Sequence, residues 1–166
     1  MIEPWSVWLI PCVKDMVKYQ ALIRDCCRRS SVPYFTPHLT LFGRLNISPK
    51  STFQFFDEFI NSYPPLLLNQ RGLNKGQPPW KSLFVDIEYC SVLKDMQKKI
   101  KNRFRLIRDY KFDPHLSIGY GNIKMSQKEI DDISLDDSIM FSSVALVLTP
   151  DRIDRWRSIR TYKLVE

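Results

Sequence analysis

The chain contains two histidines, and each sits in a near-copy of the same heptapeptide. The first copy is Phe35-Thr36-Pro37-His38-Leu39-Thr40-Leu41 and the second is Phe112-Asp113-Pro114-His115-Leu116-Ser117-Ile118. Phe, Pro, His and Leu recur unchanged, and Thr/Ser and Leu/Ile are chemical equivalents. An internal repeat of this kind points to two similar half-domains. On a strand, side chains alternate faces, so each histidine shares a face with the hydroxyl residue two places on. Leu39, Leu41, Leu116 and Ile118 then turn the other way, into a core. If the halves pack about a pseudo-two-fold axis, two imidazole–hydroxyl pairs face each other across a groove. That constellation suits phosphodiester cleavage. One neutral imidazole takes a proton from water, and the other, as imidazolium, protonates the departing oxygen. Thr40 and Ser117 can donate to the non-bridging phosphate oxygens. We take His115 as base and His38 as acid, an assignment that the near-symmetry leaves exchangeable. No metal-ligand spacing of carboxylates and histidines accompanies the pair, so neither metal nor cofactor is expected.

The elements that must position these residues alternate. Trp5 to Cys12, His38 to Leu45, Leu66 to Leu73, Ser82 to Glu88, His115 to Tyr120, Ile139 to Thr149 and Trp156 to Val165 read as strands. Asp15 to Arg29 carries Met16, Tyr19, Ile23 and Cys26 or Cys27 at helical spacing. A second helix starts at Ser48-Pro49, with Ser as N-cap, and stops before Pro64-Pro65. Ser91 caps a third, with Val92, Met96, Ile100, Phe104 and Ile107 as its apolar stripe and lysines opposite. Ser126 to Ile133 is a short acidic helix. This order argues for an α+β protein of largely antiparallel sheet. The Pro/Gly-rich segment Gly72 to Lys81 is a loop, either a plain hairpin connection or a flap whose Trp80 stacks a base while Lys75 or Lys81 attracts phosphate.

Composition narrows the class. At 166 residues with 44% hydrophobic content, one domain can bury a core without disulfides or a structural metal. No apolar run reaches the roughly 20 residues that span a bilayer. The N-terminus lacks signal-peptide features, so a cytoplasmic location is expected. The net charge of +7 suits an anionic partner such as RNA, a nucleotide or a phosphate ester, and equally serves solubility. Cys12, Cys26, Cys27 and Cys90 lack C-x-x-C spacing and read as reduced thiols.

The two H-x-[T/S] motifs in their F-x-P-H-L-[T/S]-[L/I] contexts resemble those of the two-histidine phosphoesterase superfamily. The resemblance spans residues 1–166 as a single domain and is greatest to the small 2′,3′-cyclic phosphodiesterase branch, which also includes 2′-5′ RNA ligase-like proteins. It implies two pseudo-symmetric lobes with helices outside and the active-site groove between them. It implies His38 and His115 as catalytic residues and Thr40 and Ser117 as phosphate ligands, with Tyr120 matching an aromatic residue that follows the second motif. Trp80, Phe84 and Trp156 are further candidates for lining the substrate, although Phe84 equally suits a core strand. The implied activity is metal-independent hydrolysis of a nucleoside 2′,3′-cyclic phosphate to a 2′-phosphate, by a monomer. ADP-ribose 1″,2″-cyclic phosphate is another substrate the branch suggests. Two other readings remain: an RNA-end processing enzyme (2′-5′ ligase-like or a 3′-end exonuclease), and a non-catalytic RNA-binding module. Neither involves a membrane.

Overall fold

The computed structural model describes residues 1–165. Strand β1, Trp5–Pro11, leads into helix α1, Val13–Ser30, and then into β2, Leu39–Leu45. Helix α2, Phe53–Phe59, is short and flanked by 3-10 turns at Pro49–Thr52 and Ile60–Ser62. Strands β3, Leu66–Lys75, and β4, Leu83–Ile87, precede α3, Ser91–Phe104. Strand β5, His115–Gly119, a one-turn helix α4, Gln127–Asp131, and strands β6, Ser138–Leu148, and β7, Arg157–Lys163, complete the order.

Every strand pairing is antiparallel. The order is β1-β2-β5-β4-β3-β6-β7, and β1 also pairs with β6. Six strands therefore close into a barrel, with β7 added outside on β6. Strand β3 spans the closure, pairing with β6 over Leu66–Asn69 and with β4 from Gln70 to Lys75. The seam between β2 and β5 is the shortest, with Leu39 opposite Leu116 as its one register pair. Each strand puts one face into the main core, where Leu39, Leu41, Leu116 and Ile118 are fully buried as their alternation predicts. In β1 the same rule sends Val7 and Leu9 to that core and Trp8 to the opposite face, where it packs with Ala145 and Val147.

Helices α1 and α3 lay apolar stripes on the core. α1 contributes Tyr19, Ile23, Cys26 and Cys27, both cysteines being free thiols. Burial pushes Cys26 up to about 11 and Cys27 up to about 12, so neither is a ready nucleophile. The buried Asp15 carboxylate accepts from the Met140 N–H at 2.7 Å and ties α1 to β6. Several boundaries differ from expectation. Ser48 occupies the N-cap position, but its side chain makes no capping bond. Ser91 is the first residue of α3, not its cap; Cys90 takes that position, without a side-chain bond. The buried stripe of α3 is Leu93, Met96, Gln97, Ile100 and Phe104. Met96, Ile100 and Phe104 match the expected stripe, Leu93 takes the place of Val92, and Ile107 lies beyond the helix end at Phe104, 42% exposed. Strand β3 runs four residues into the expected loop and ends at Lys75.

Candidate active site

The motif strands β2 and β5 are direct neighbours in the barrel. Extending the Leu39–Leu116 register by one residue each way sets His38 opposite Ser117 and Thr40 opposite His115. All four then lie on the face away from the core. The X-Pro-His segments fix the rings in the same way at both places. The His38 Nδ1–H donates to the Thr36 carbonyl at 2.6 Å, and the His115 Nδ1–H donates to the Asp113 carbonyl at 2.7 Å. A carbonyl only accepts, so each neutral ring holds its proton on Nδ1 and presents Nε2 as its acceptor.

Both rings open on a cleft of about 360 Å3 that Thr40, Tyr120, Trp80 and Trp156 also line. Three cations, Arg44, Lys81 and Lys111, border it. Arg44 holds left-handed backbone, φ 60, and pairs with Asp151 at 2.9 Å. Lys81 pairs with Asp113. The loop after β3 is tied down at its far end. The Gly121 N–H donates to the Pro79 carbonyl at 2.8 Å, and the Ser82 hydroxyl donates to the Gly121 carbonyl at 2.6 Å. Gly76 is needed there, because a Cβ would stand 2.3 Å from the Lys81 carbonyl oxygen. Trp80, 46% exposed, is thereby held nearly parallel to Trp156, with ring centroids 6.5 Å apart.

Ser117 and Phe84 do not line this cleft. Ser117 is buried, close to the Tyr120 phenol. Phe84, opposite Ser117 on β4, is buried and stands edge-on to the His115 ring at 5.5 Å. It is a wall behind the histidine and not a surface for substrate. Tyr120 is buried, with its phenol 3.4 Å from His38 Nε2, and burial raises its pKa so that it stays a donor.

The two imidazoles differ in electrostatics. Burial drives His38 down to about 3, only partly opposed by its bond to Thr36, and the nearby His115 lowers it further. Burial also lowers His115, but the Asp113 carbonyl and the Asp113 and Asp86 carboxylates favour its charged form, while Lys81 opposes them. His115 is thus the more readily protonated ring. Trp8, which sequence reasoning missed, lies flat on His38 at 3.5 Å and 9°. Its strand alternation was the available signal, since Trp8 shares the cleft with Ser6 of the same strand. For Lys111 and Arg44 the sequence held no signal. Among the described residues, no three His, Cys, Asp or Glu side chains gather as metal ligands.

No family model and no curated protein matches the sequence. Solved structures do. The chain superposes on TT0787 of Thermus thermophilus with a TM-score of 0.61 at 17% identity, covering 97% of both chains. It superposes on E. coli LigT in complex with 3′-AMP with a TM-score of 0.63 at 11% identity over 100% of both. A structure described as a phosphoesterase gives 0.61 at 10% identity over 99% of both. The chain shares the fold of these three proteins. At these identities the likeness is one of fold. No helix among the described residues is long and apolar enough to cross a membrane.

Proposed function

We propose that the protein is a phosphodiesterase that opens a ribose 2′,3′-cyclic phosphate with His38 and His115 as its acid–base pair. The observation that carries this reading is the matched pinning of both imidazoles, Nδ1–H to a backbone carbonyl, with both rings opening on one cleft. A pure binding module has no need of two oriented proton-transfer groups. The barrel halves β6-β1-β2 and β3-β4-β5 act as two similar lobes, with the motif strands meeting at their seam. E. coli LigT was solved with 3′-AMP and with phosphate, ligands of the size and charge this cleft suits.

In the reaction, the neutral His38 Nε2 takes a proton from water as the water oxygen bonds to phosphorus. His115, as imidazolium, gives its proton to the ribose O3′ as the P–O3′ bond breaks, leaving a 2′-phosphomonoester. This reverses the roles expected from the sequence, because the sealed, Trp8-stacked His38 stays neutral while carboxylates favour charge on His115. Thr40 donates to a non-bridging oxygen. Ser117, buried close to Tyr120, does not face the cleft. Arg44, Lys81 and Lys111 draw the anion in, and Trp80 and Trp156 flank the base. ADP-ribose 1″,2″-cyclic phosphate presents the same ring and suits the same chemistry. The cations at the cleft border favour an RNA end as the second reading. We take the active species to be a cytoplasmic monomer.

The test is hydrolysis of the four nucleoside 2′,3′-cyclic phosphates with EDTA present. The expected result is turnover to a single 2′-phosphate isomer, lost in His38→Ala and in His115→Ala. No turnover by the folded protein on any of the four would reject this activity and favour the RNA-end or binding readings.

A further inference from the structure

Charge is spread unevenly along the chain. Residues 98–111 hold seven Lys or Arg and one acid, Asp109, while the rest of the chain holds 18 basic and 17 acidic residues. Nearly all of the net charge of +7 therefore sits in this one segment. The helix gathers it. Lys94, Lys98, Lys101 and Arg105 recur at three- and four-residue steps and are exposed, opposite the buried Leu93, Met96, Ile100 and Phe104. Of the seven cations, only Lys99 pairs with a carboxylate among the described residues, Asp95 at 3.4 Å. Just beyond the helix, between Arg105 and Arg108, stand Leu106, 93% exposed, and Ile107, 42% exposed. Hydrogen bonds hold this turn in place. The Ile107 and Arg108 N–H groups donate to the carbonyl of the fully buried Phe104, at 2.9 and 3.1 Å. The Arg108 guanidinium donates to the Gly43 and Arg44 carbonyls at 2.8 and 3.1 Å and ties the turn to β2.

We propose that the C-terminal end of α3 docks on an anionic lipid bilayer, with Leu106 and Ile107 entering the interface and Lys98, Lys101 and Arg105 at the level of the headgroup phosphates. A single exposed leucine is ordinary on a protein surface. Two aliphatic side chains held outward by a pinned turn, beside a ridge of cations without carboxylate partners, meet both demands of a charged interface: apolar contact at the acyl boundary and positive charge at the headgroups. The long basic stems let their charged ends reach the phosphates while the turn goes deeper. Nucleic acid would draw on the same cations, but it gains from aromatic rings and not from a leucine. The two aromatic residues of the segment are not free to stack, since Phe104 is buried and Tyr110 packs on Phe42 with centroids 5.0 Å apart. The contact is peripheral. It departs from the absence of a membrane expected from the sequence, which rested on the lack of a spanning segment. It does not depend on the reaction assigned to the cleft.

The test is co-sedimentation of the intact protein with vesicles of about one part phosphatidylserine to three parts phosphatidylcholine, and with vesicles of phosphatidylcholine alone, near physiological salt. Binding is expected to the anionic vesicles only. Lys101→Gln and Arg105→Gln should each weaken it about five-fold, the effect of one basic residue near such a surface. Leu106→Ser changes no charge and removes no core contact, and it should weaken binding about ten-fold. Lys14→Gln, at an exposed position on α1, should change binding by less than about two-fold. Absence of binding to the anionic vesicles would overturn the inference. So would binding that Leu106→Ser leaves intact, because adsorption by charge alone needs no leucine, and so would equal losses in Lys14→Gln and Arg105→Gln. Tight binding of single-stranded RNA through Lys101 and Arg105, with no binding to vesicles, would give the patch to nucleic acid and overturn it as well.

Discussion

His38 is 3% exposed, lies flat on Trp8 and has no carboxylate beside it. The His115 side chain is 20% exposed, meets Phe84 edge-on and has Asp113 and Asp86 nearby, with the Asp113 carboxylate 3.9 Å from its Nδ1. Their own motifs hold both rings alike, through the carbonyl two residues back. The neighbouring strands make the difference. β1 lays an indole over the first ring, and β4 sets a phenylalanine behind the second. A duplicated motif can thus supply two identical groups, and unequal surroundings then set their proton affinities apart. Because charge on His115 disfavours charge on His38, the pair takes up its protons in separate steps.

The largest effect should come from removing either ring. His38→Ala and His115→Ala should each lower kcat about 10²- to 10⁴-fold on a cyclic nucleotide. An activated diester with a nitrophenolate leaving group separates them, since such a group departs without a proton. His115→Ala should regain most of its activity there and His38→Ala should not; the opposite pattern would exchange the roles. Next, Thr40→Val should cost about 10²-fold in kcat with little change in KM if its hydroxyl acts on charge developed in the transition state. A rise in KM alone would reduce it to a ground-state ligand.

Smaller effects should appear as pH shifts. The alkaline limb of kcat/KM follows loss of the His115 proton. Asp113→Asn removes a carboxylate that favours the imidazolium, so the limb should move to lower pH; Lys81→Met removes an opposing cation and should move it up. An unmoved limb in both variants would break the link between that limb and His115. The smallest effect is on stability. The folded pKa of His38 lies below its unfolded value, so the unfolded chain takes the proton first. The stability tied to neutral His38 is complete above pH ~6.5 and is lost as pH falls towards about 3. Urea unfolding at pH 7 and pH 4 should show a larger loss in the wild type than in His38→Gln, and equal losses would contradict the buried, neutral ring.

Much of this was legible from the repeat. Its alternation placed Leu39, Leu41, Leu116 and Ile118 in the core and the two histidines on the other face, and apolar runs bounded by turn residues located all seven strands. Closure of β1 on β6 was not legible, because pairing between distant strands is set by tertiary register and not by local pattern. The difference in proton affinity between the two rings was hidden for the same reason. It depends on Trp8 and Asp86, which lie on strands whose neighbours the repeat does not specify. Ser117 shows the limit of matching motifs residue by residue. It occupies the place of Thr40 in the repeat, yet it is buried against Tyr120 while Thr40 lines the cleft.

The central claim is that two like motifs are held in unlike protonation states. With only two histidines in the chain, a nitrogen-15 NMR titration of the imidazoles reads it directly, with His38→Gln assigning the signals. His115 should take up a proton first as pH falls, at a pH below ~6.5, while His38 stays neutral with its proton on Nδ1 down to pH ~4. Protonation of His38 before His115, or a His38 proton on Nε2, would contradict the assignment of base and acid.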